Sequence, residues 1–198
     1  MTKTLLLFLV SVTFSHVSTN AQTYLEQFKK CSEVFNITDS TADSLYTDLL
    51  LKRDSCLIGS IAPNFKSKTI NGNLVDLSKL KGRVIVLNFW STGCGPCIAE
   101  MPELNKLVKL YSGKKVTFIS LAAENSTLLS KFFKKHSFSF ATIPDSDEIM
   151  YGAFKLESIW PYSVIIDKEG KIYKIWFGGF SNKTETIPFY KNIIDKIL

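Results

Sequence analysis

Between Val84 and Cys97 the chain passes without a break from a strand-like run to a pair of cysteines two residues apart, and few folds accommodate that junction. Val84–Trp90 is near-continuously apolar and rich in β-branched residues, the pattern of a strand buried on both faces. Ser91-Thr-Gly-Cys-Gly-Pro-Cys97 follows at once, and then Ile98, Met101, Leu104, Val108 and Tyr111 recur at helical spacing. The cysteines therefore stand where a strand gives way to a helix. At that point unpaired backbone N–H groups and the positive end of the helix dipole favour an anion. A thiol placed there has a lowered pKa and is nucleophilic near neutral pH. Cys94, at the very start, is expected to be the exposed attacking sulfur, and Cys97, one turn inside, the buried resolving thiol. Gly95 and Pro96 separate them, and Pro96 suits a first turn, where its missing N–H costs little.

The elements around this junction alternate. Asn71-Gly72 signals a hairpin between Phe65–Ile70 and Leu74–Leu77. Val116–Leu121 reads as a second buried strand. Asn125 or Ser126 can cap a helix whose expected buried face is Leu128, Leu129, Phe132 and Phe133. A short extended piece at Ser139–Ile143 and a short helix near Asp147–Phe154 come next. Ser163–Asp167 and Lys171–Phe177 read as strands joined by a hairpin at Lys168-Glu169-Gly170, and Thr184–Leu198 as a final helix. The order β-α-β-α-β-β-α after an N-terminal hairpin predicts an α/β fold. Its central mixed sheet would be flanked by helices over residues 57–198.

Residues 22–56 read as a helical extension with apolar positions Tyr24, Leu25, Phe28, Leu45, Leu49 and Leu50, broken by a turn at Asn36 to Ser40. Ahead of it, Lys3 and the apolar run Leu5–Val10 have the form of a signal peptide, with small residues placing a cut after Ala21. A short anchored helix is the alternative. The apolar run is too short to span a bilayer, and no cysteine follows it closely enough for a lipid anchor. An exported chain, soluble after processing and periplasmic or otherwise outside the cytoplasm, is the expectation. The formal net charge is +6, or +5 without Lys3, and the lysine pairs at 29–30, 114–115 and 134–135 are dispersed. A nucleic-acid surface would need a clustered basic stripe with interleaved aromatics, which is lacking.

The chain has four cysteines. Cys94 and Cys97 can pair with each other, which leaves Cys31 and Cys56, both upstream, for a structural disulfide or for two separate thiols. A zinc reading of Cys94-x-x-Cys97 lacks ligands, since the processed chain would offer only His136 and the distant Cys31 and Cys56. No metal or other cofactor is expected. His136 ends an amphipathic helix and reads as a surface or cap residue.

Gly59-Ser-Ile-Ala-Pro-Asn-Phe65, Val86-Leu-Asn-Phe-Trp-Ser-Thr-Gly-Cys-Gly-Pro-Cys97, Glu100-Met-Pro102 and Trp160-Pro-Tyr-Ser-Val-Ile-Ile-Asp167 together resemble the thioredoxin superfamily. Within it, residues 57–198 are most similar to the exported TlpA/ResA-like thiol–disulfide oxidoreductases. The resemblance implies a thioredoxin fold with an added N-terminal hairpin, and thiol–disulfide exchange at Cys94 and Cys97. It implies that Pro161 follows a cis peptide bond and lies against the cysteines, with the Trp160 backbone free to pair with an extended substrate. Glu100, where such proteins commonly carry an acid, would relay protons to the buried thiol or else be a solvated helix residue. Pro102 would kink the helix. The partners implied are cysteine-containing client proteins, apocytochromes of cytochrome c maturation among them, and a membrane-bound thiol electron donor.

Two departures stand out. Asn88 occupies the position where thioredoxins proper carry a buried acid, which leaves Glu100 as the proton handler. Gly93 replaces the usual Trp before the first cysteine, while Trp160 stands before Pro161, where smaller residues are usual. The Trp160 indole is expected to cover the sulfur that Gly93 leaves open. Gly-Pro between the cysteines, with no histidine there, favours a reductase; an oxidase or isomerase is the alternative. Two other classes are a redox-inert module and a copper-delivering protein of the same fold. The latter would use a histidine late in the chain, and none follows His136. A peroxidase would need Pro and Thr before a lone cysteine at the peroxiredoxin spacing.

Overall fold

The computed structural model describes residues 23–35, 43–180 and 182–198. The expected signal peptide at 1–21 and the turn at Asn36 to Ser40 lie outside the described residues. Two helices open the chain, α1 (Tyr24–Val34) and α2 (Asp43–Cys56), followed by a hairpin of β1 (Lys66–Lys68) and β2 (Leu74–Asp76). Then come β3 (Val84–Trp90), α3 (Gly95–Leu110), β4 (Val116–Ala122), α4 (Ser126–Phe132) and β5 (Ala141–Ile143). A π-helical turn (Glu148–Ala153) leads to β6 (Tyr162–Ile166), β7 (Ile172–Phe177), a short 3-10 turn and α5 (Thr186–Ile197). The five long-range strands form one mixed sheet in the order β5-β4-β3-β6-β7, with β4 parallel to β3 and β6 antiparallel to it. The extended piece at Ser139–Ile143 is thus a full sheet member at the edge. Among the described residues no helix is long and apolar enough to cross a membrane.

Strand β3 is buried along its whole length, and its two-residue period divides the core. Ile85, Leu87 and Phe89 pack on one face with Tyr24, Phe65, Met150 and Phe154. Val84 and Val86 pack on the other with Leu104 and Leu107 of α3 and Tyr190 and Ile194 of α5. Because β6 runs in register beside β3, the faces continue across the pair. Tyr162 and Val164 join the first core and Ile165 the second.

Three expected apolar positions prove to be solvent-facing. Leu25 and Leu45 are exposed, and Leu128, expected on the buried face of α4, is 48% exposed. In α2 the buried stripe runs instead through Leu50, Arg53, Asp54 and Leu57, so two charged residues hold positions that a hydrophobic pattern assigns to apolar ones. In α4 the short helix turns only Leu129 fully inward. Phe132 and Phe133 approach the Trp90 ring, with centroids 5.2 and 6.0 Å away.

A capping box starts α1: the Glu26 N–H donates to Thr23 Oγ1 at 3.4 Å and the Thr23 N–H to Glu26 Oε2 at 3.0 Å. Cys31 and Cys56 form a disulfide that joins α1 to α2 across 25 residues. A closed loop of that length removes enough denatured-state entropy to stabilise the fold by about 3 kcal/mol. Replacing both cysteines by alanine is therefore expected to lower unfolding free energy by about 3 kcal/mol in urea titrations of the oxidised protein. A loss below about 1 kcal/mol would show that the α1–α2 packing stands without its staple.

Candidate active site

Strand β3 ends at Trp90, and the Ser91–Gly93 loop carries the chain to Cys94, which is the N-cap of α3. The loop is held from across the sheet edge, where Glu124 Oε1 accepts the Thr92 N–H at 2.7 Å and the Thr92 hydroxyl at 2.8 Å. Cys94 takes the role that serine or aspartate plays at other helix starts: its Sγ accepts the Cys97 N–H at 3.1 Å. The two cysteines are disulfide-bonded with their Cα atoms 5.3 Å apart. Pro96 lies in the first turn of the helix, and Pro102 in its interior removes one backbone hydrogen bond.

Cys94 was expected to be exposed. It is 9% exposed and Cys97 2%, so the order of accessibility holds while the absolute exposure is small. Two causes are visible. The disulfide turns the Cys94 sulfur toward α3, and Trp160 packs against the apolar cluster formed by Trp90, Cys94, Cys97 and Met101. Gly93 is exposed, with open space where a Cβ would project, so no side chain approaches from that side. The Trp160–Pro161 peptide bond is cis, and Pro161 directly precedes β6, the neighbour of β3. His136 is stacked on Phe132 with centroids 4.3 Å apart and takes no part in this site.

Glu100 is not a solvated helix residue. It lies one turn beyond Cys97 on the same inward stripe of α3 and is 6% exposed. The Asn88 amide donates to Glu100 Oε1 at 3.2 Å and to Ser163 Oγ at 3.3 Å, and Ser163 Oγ lies 2.9 Å from the Tyr190 hydroxyl. Burial pushes the Glu100 carboxyl up to about 7, and the Asn88 hydrogen bond only partly opposes it. Burial, and then the Glu100 charge, push the Tyr190 hydroxyl well above its ordinary value, so the tyrosine remains a neutral donor or acceptor. A cleft of about 270 Å³ lined by Pro96, Ala99, Glu100, Phe180, Lys183 and Thr186 links the carboxyl to solvent. Thr186 Oγ1 is buried there and has no hydrogen-bond partner among the described residues.

Sequence reasoning placed Asn88 and Glu100 at the site but not Ser163, Tyr190, Glu124 or Thr186. Ser163 could have been found from alternation, because a hydroxyl in the apolar run Tyr162–Ile166 needs a buried partner. Tyr190 and Thr186 lie too far along the chain for any spacing rule to attach them.

A dithiol that closes to a disulfide at a helix mouth, with a carboxyl titrating near neutrality behind it, belongs to a thiol–disulfide oxidoreductase of thioredoxin fold. The Redoxin family model matches residues 57–194, and the chain belongs to that family. Among its curated relatives, the thiol-disulfide oxidoreductase ResA of Bacillus cereus is 35% identical over 65% of this chain and 75% of its own. ResA of Bacillus subtilis is 30% identical over 76% of this chain and 83% of its own. A solved Chlorobium tepidum structure assigned as a DsbE thiol:disulfide interchange protein shares the fold with a TM-score of 0.63 at 23% identity, covering 71% of this chain and 98% of its own. A Bacteroides vulgatus structure assigned as a thiol-disulfide oxidoreductase gives 0.57 at 26% identity, covering 72% and 97%.

The Glu100 shift has a sign that can be checked. A carboxyl raised in the folded state binds its proton more tightly there than in the unfolded chain, so it costs no stability at low pH. The cost appears as pH rises from the unfolded value near 4.5 toward 7 and is complete above 7. Glu100→Gln is therefore expected to match the parent in stability at pH 4. At pH 8 it should exceed the parent by on the order of 2–3 kcal/mol, read by urea unfolding of the oxidised proteins. Parallel stability curves across that range would show that Glu100 does not titrate near neutrality.

Proposed function

We propose that this thiol–disulfide oxidoreductase reduces disulfides of client proteins outside the cytoplasm, with Cys94 attacking and Cys97 resolving. The observation that carries the assignment of roles is the Cys97 N–H donating to Cys94 Sγ at the first turn of a 16-residue helix. A backbone donor and the helix dipole at one sulfur favour its thiolate, while the other sulfur is buried deeper. In the reduced enzyme the Cys94 thiolate attacks one sulfur of the client disulfide, and the other client sulfur leaves as a thiolate and takes a proton. Cys97 loses its proton, and its thiolate attacks Cys94 Sγ of the mixed disulfide. The second client thiol is released and the Cys94–Cys97 bond forms, so two electrons have passed to the client. Glu100, one turn from Cys97 and titrating near 7, is the group suited to accept the Cys97 proton and to return it when the enzyme is reset.

Trp160, Pro161, Gly95 and Pro96 form the proposed client-docking surface. Neither the N–H nor the C=O of Trp160 bonds another backbone group among the described residues, so both are free to pair with an extended client segment. Gly95 and Pro96 are exposed at the rim of the helix mouth and present no bulk to an incoming chain. The reset requires an external dithiol, for which a membrane-bound thiol donor is the proposed source. Apocytochromes are proposed among the clients, in keeping with the resemblance to TlpA/ResA-like proteins. Export itself is proposed from the signal-like residues 1–21.

The uncharged Gly-Pro pair between the cysteines favours the reducing direction. The Cys94–Cys97 reduction potential is expected below about −230 mV, toward the thioredoxin value of about −270 mV. A potential near about −120 mV, the strongly oxidising end of the range, would reverse the direction. In the same preparation, Cys97→Ser should accumulate a Cys94 mixed disulfide with a client peptide, and Cys94→Ser should form none. Trapping through Cys97 instead would exchange the two roles.

A further inference from the structure

The helical extension reaches the segment that leads into the docking surface, and it does so through a buried ionic network. Arg53 and Asp54 of α2 are 2% and 3% exposed. Arg53 Nε and Nη2 donate to Asp54 Oδ1 at 3.1 and 2.9 Å, and Arg53 Nη1 donates to Glu157 Oε1 at 2.8 Å. The other Asp54 oxygen accepts the Tyr162 hydroxyl at 2.9 Å. On its open side the guanidinium lies 5.3 Å from the centroid of the Phe28 ring of α1. One helix further out, the Tyr24 hydroxyl donates to the Phe154 carbonyl at 2.7 Å, and the two rings meet edge-on.

These contacts fall on Phe154, Glu157 and Tyr162. They bracket residues 155–161, an irregular stretch that begins with Lys155 at φ +51° and contains Trp160 and Pro161. A stretch without strand or helix bonds of its own, opening on a left-handed residue, keeps one conformation only where its surroundings over-determine it. The domain supplies part of this, with the Leu156 N–H on the Met150 carbonyl, the Pro161 carbonyl accepting the Gly178 N–H and Trp160 edge-on to Tyr151, and the extension supplies the buried ionic anchor at Glu157. The extension is in turn held as a unit by the Cys31–Cys56 disulfide and by Gln27 Nε2 donating to the Cys56 carbonyl at 3.0 Å.

We propose that α1 and α2 act as a clamp that pre-forms the client-docking loop, with Arg53 as its positioning residue and Glu157 as the loop's anchor point. This rests on the reading of Trp160 and Pro161 as the docking surface. The clamp touches no reacting atom. It acts by removing the ordering cost that a client would otherwise meet on binding, so it sets the concentration at which clients bind rather than the speed of exchange. Burial by itself works against the Arg53 charge, but Asp54 and Glu157 outweigh it and hold the guanidinium firmly protonated.

Glu157→Ala removes the acceptor of the Arg53 N–H and so severs the loop arm alone. Glu157 is partly exposed, and the Arg53–Asp54–Tyr162 contacts remain, so this variant is expected to fold with parental stability. Arg53→Met removes the hub and leaves Asp54 buried without its ion pair, so it tests the same idea at a cost in stability. The assay follows reduction of a peptide carrying one intramolecular disulfide, with dithiothreitol as electron source, and separately the reduction of a small aromatic disulfide that needs no docking loop. Glu157→Ala is expected to raise KM for the peptide about three- to tenfold, with kcat and the small-disulfide rate unchanged. The same peptide N-methylated beside its attacked cysteine cannot pair with the Trp160 backbone and, run in parallel, tests the docking surface itself. A raised KM for the N-methylated peptide with a parental peptide KM in Glu157→Ala would overturn the clamp and keep the docking surface. An unchanged KM for the N-methylated peptide would remove the docking surface and the clamp with it.

Discussion

The hydrogen bond from the Cys97 N–H to Cys94 Sγ needs a helix to start at Cys94 and nowhere else, and most of the fold exists to bring that about. Strand β3 is buried on both faces, so its exit direction is fixed by two cores rather than one. The loop that follows has only Ser91, Thr92 and Gly93 in which to turn, and Glu124 at the end of β4 binds Thr92 through both its N–H and its hydroxyl. With strand exit and loop both determined, the first free N–H groups of α3 arrive at a sulfur. A serine at that position would cap the helix equally well; only a thiol turns the capping bond into stabilisation of a nucleophile.

Strand β6 links this junction to the rest of the molecule, because consecutive side chains on it point to opposite faces. Ser163 points into the α3–α5 core and joins Asn88, Glu100 and Tyr190. Tyr162 points the other way and joins Asp54 and Arg53. The two residues immediately after Pro161 are thereby tied to different polar networks on the two sides of the sheet. One network holds a carboxyl near its titration point behind the cysteines, and the other fixes the approach to Trp160 from behind. Buried polar groups of this kind are costly when half satisfied, which confines the conformations open to Trp160 and Pro161 from both directions.

What could be read in advance follows from how local each signal is. Val84–Trp90, the cap at Cys94, the Asn71-Gly72 turn and the β6–β7 hairpin rest on neighbours within a few residues, and they emerge as expected. The resemblance brought in Pro161 and Glu100, which spacing alone would have left as an ordinary proline and a helix glutamate. The extension was misread in detail for a physical reason. Its buried stripe is Leu50, Arg53, Asp54 and Leu57, and charged residues enter a core only with partners, here Glu157 and Tyr162, about a hundred residues away. Hydrophobic periodicity carries no record of such a partner, so the pattern pointed to Leu45 instead. Tyr190 escaped notice likewise, since its hydroxyl partner Ser163 lies on another element.

The two disulfides differ in what surrounds the sulfur that must leave when a thiol attacks. Attack on Cys94 expels the Cys97 sulfur, one turn from the Glu100 carboxyl, which titrates near 7 and is suited to return its proton. Cys31 is fully buried and Cys56 only partly exposed, so an attacking thiol can reach only Cys56 and must expel the Cys31 sulfur into an apolar surrounding. A thiolate there is disfavoured by desolvation, and a poor leaving group slows the exchange. Gln27, whose amide lies 3.5 and 3.6 Å from the two sulfurs, is engaged with the Cys56 carbonyl at 3.0 Å. A thiol that reduces the Cys94–Cys97 pair can therefore leave the Cys31–Cys56 staple intact, and with it the packing of α1 on α2.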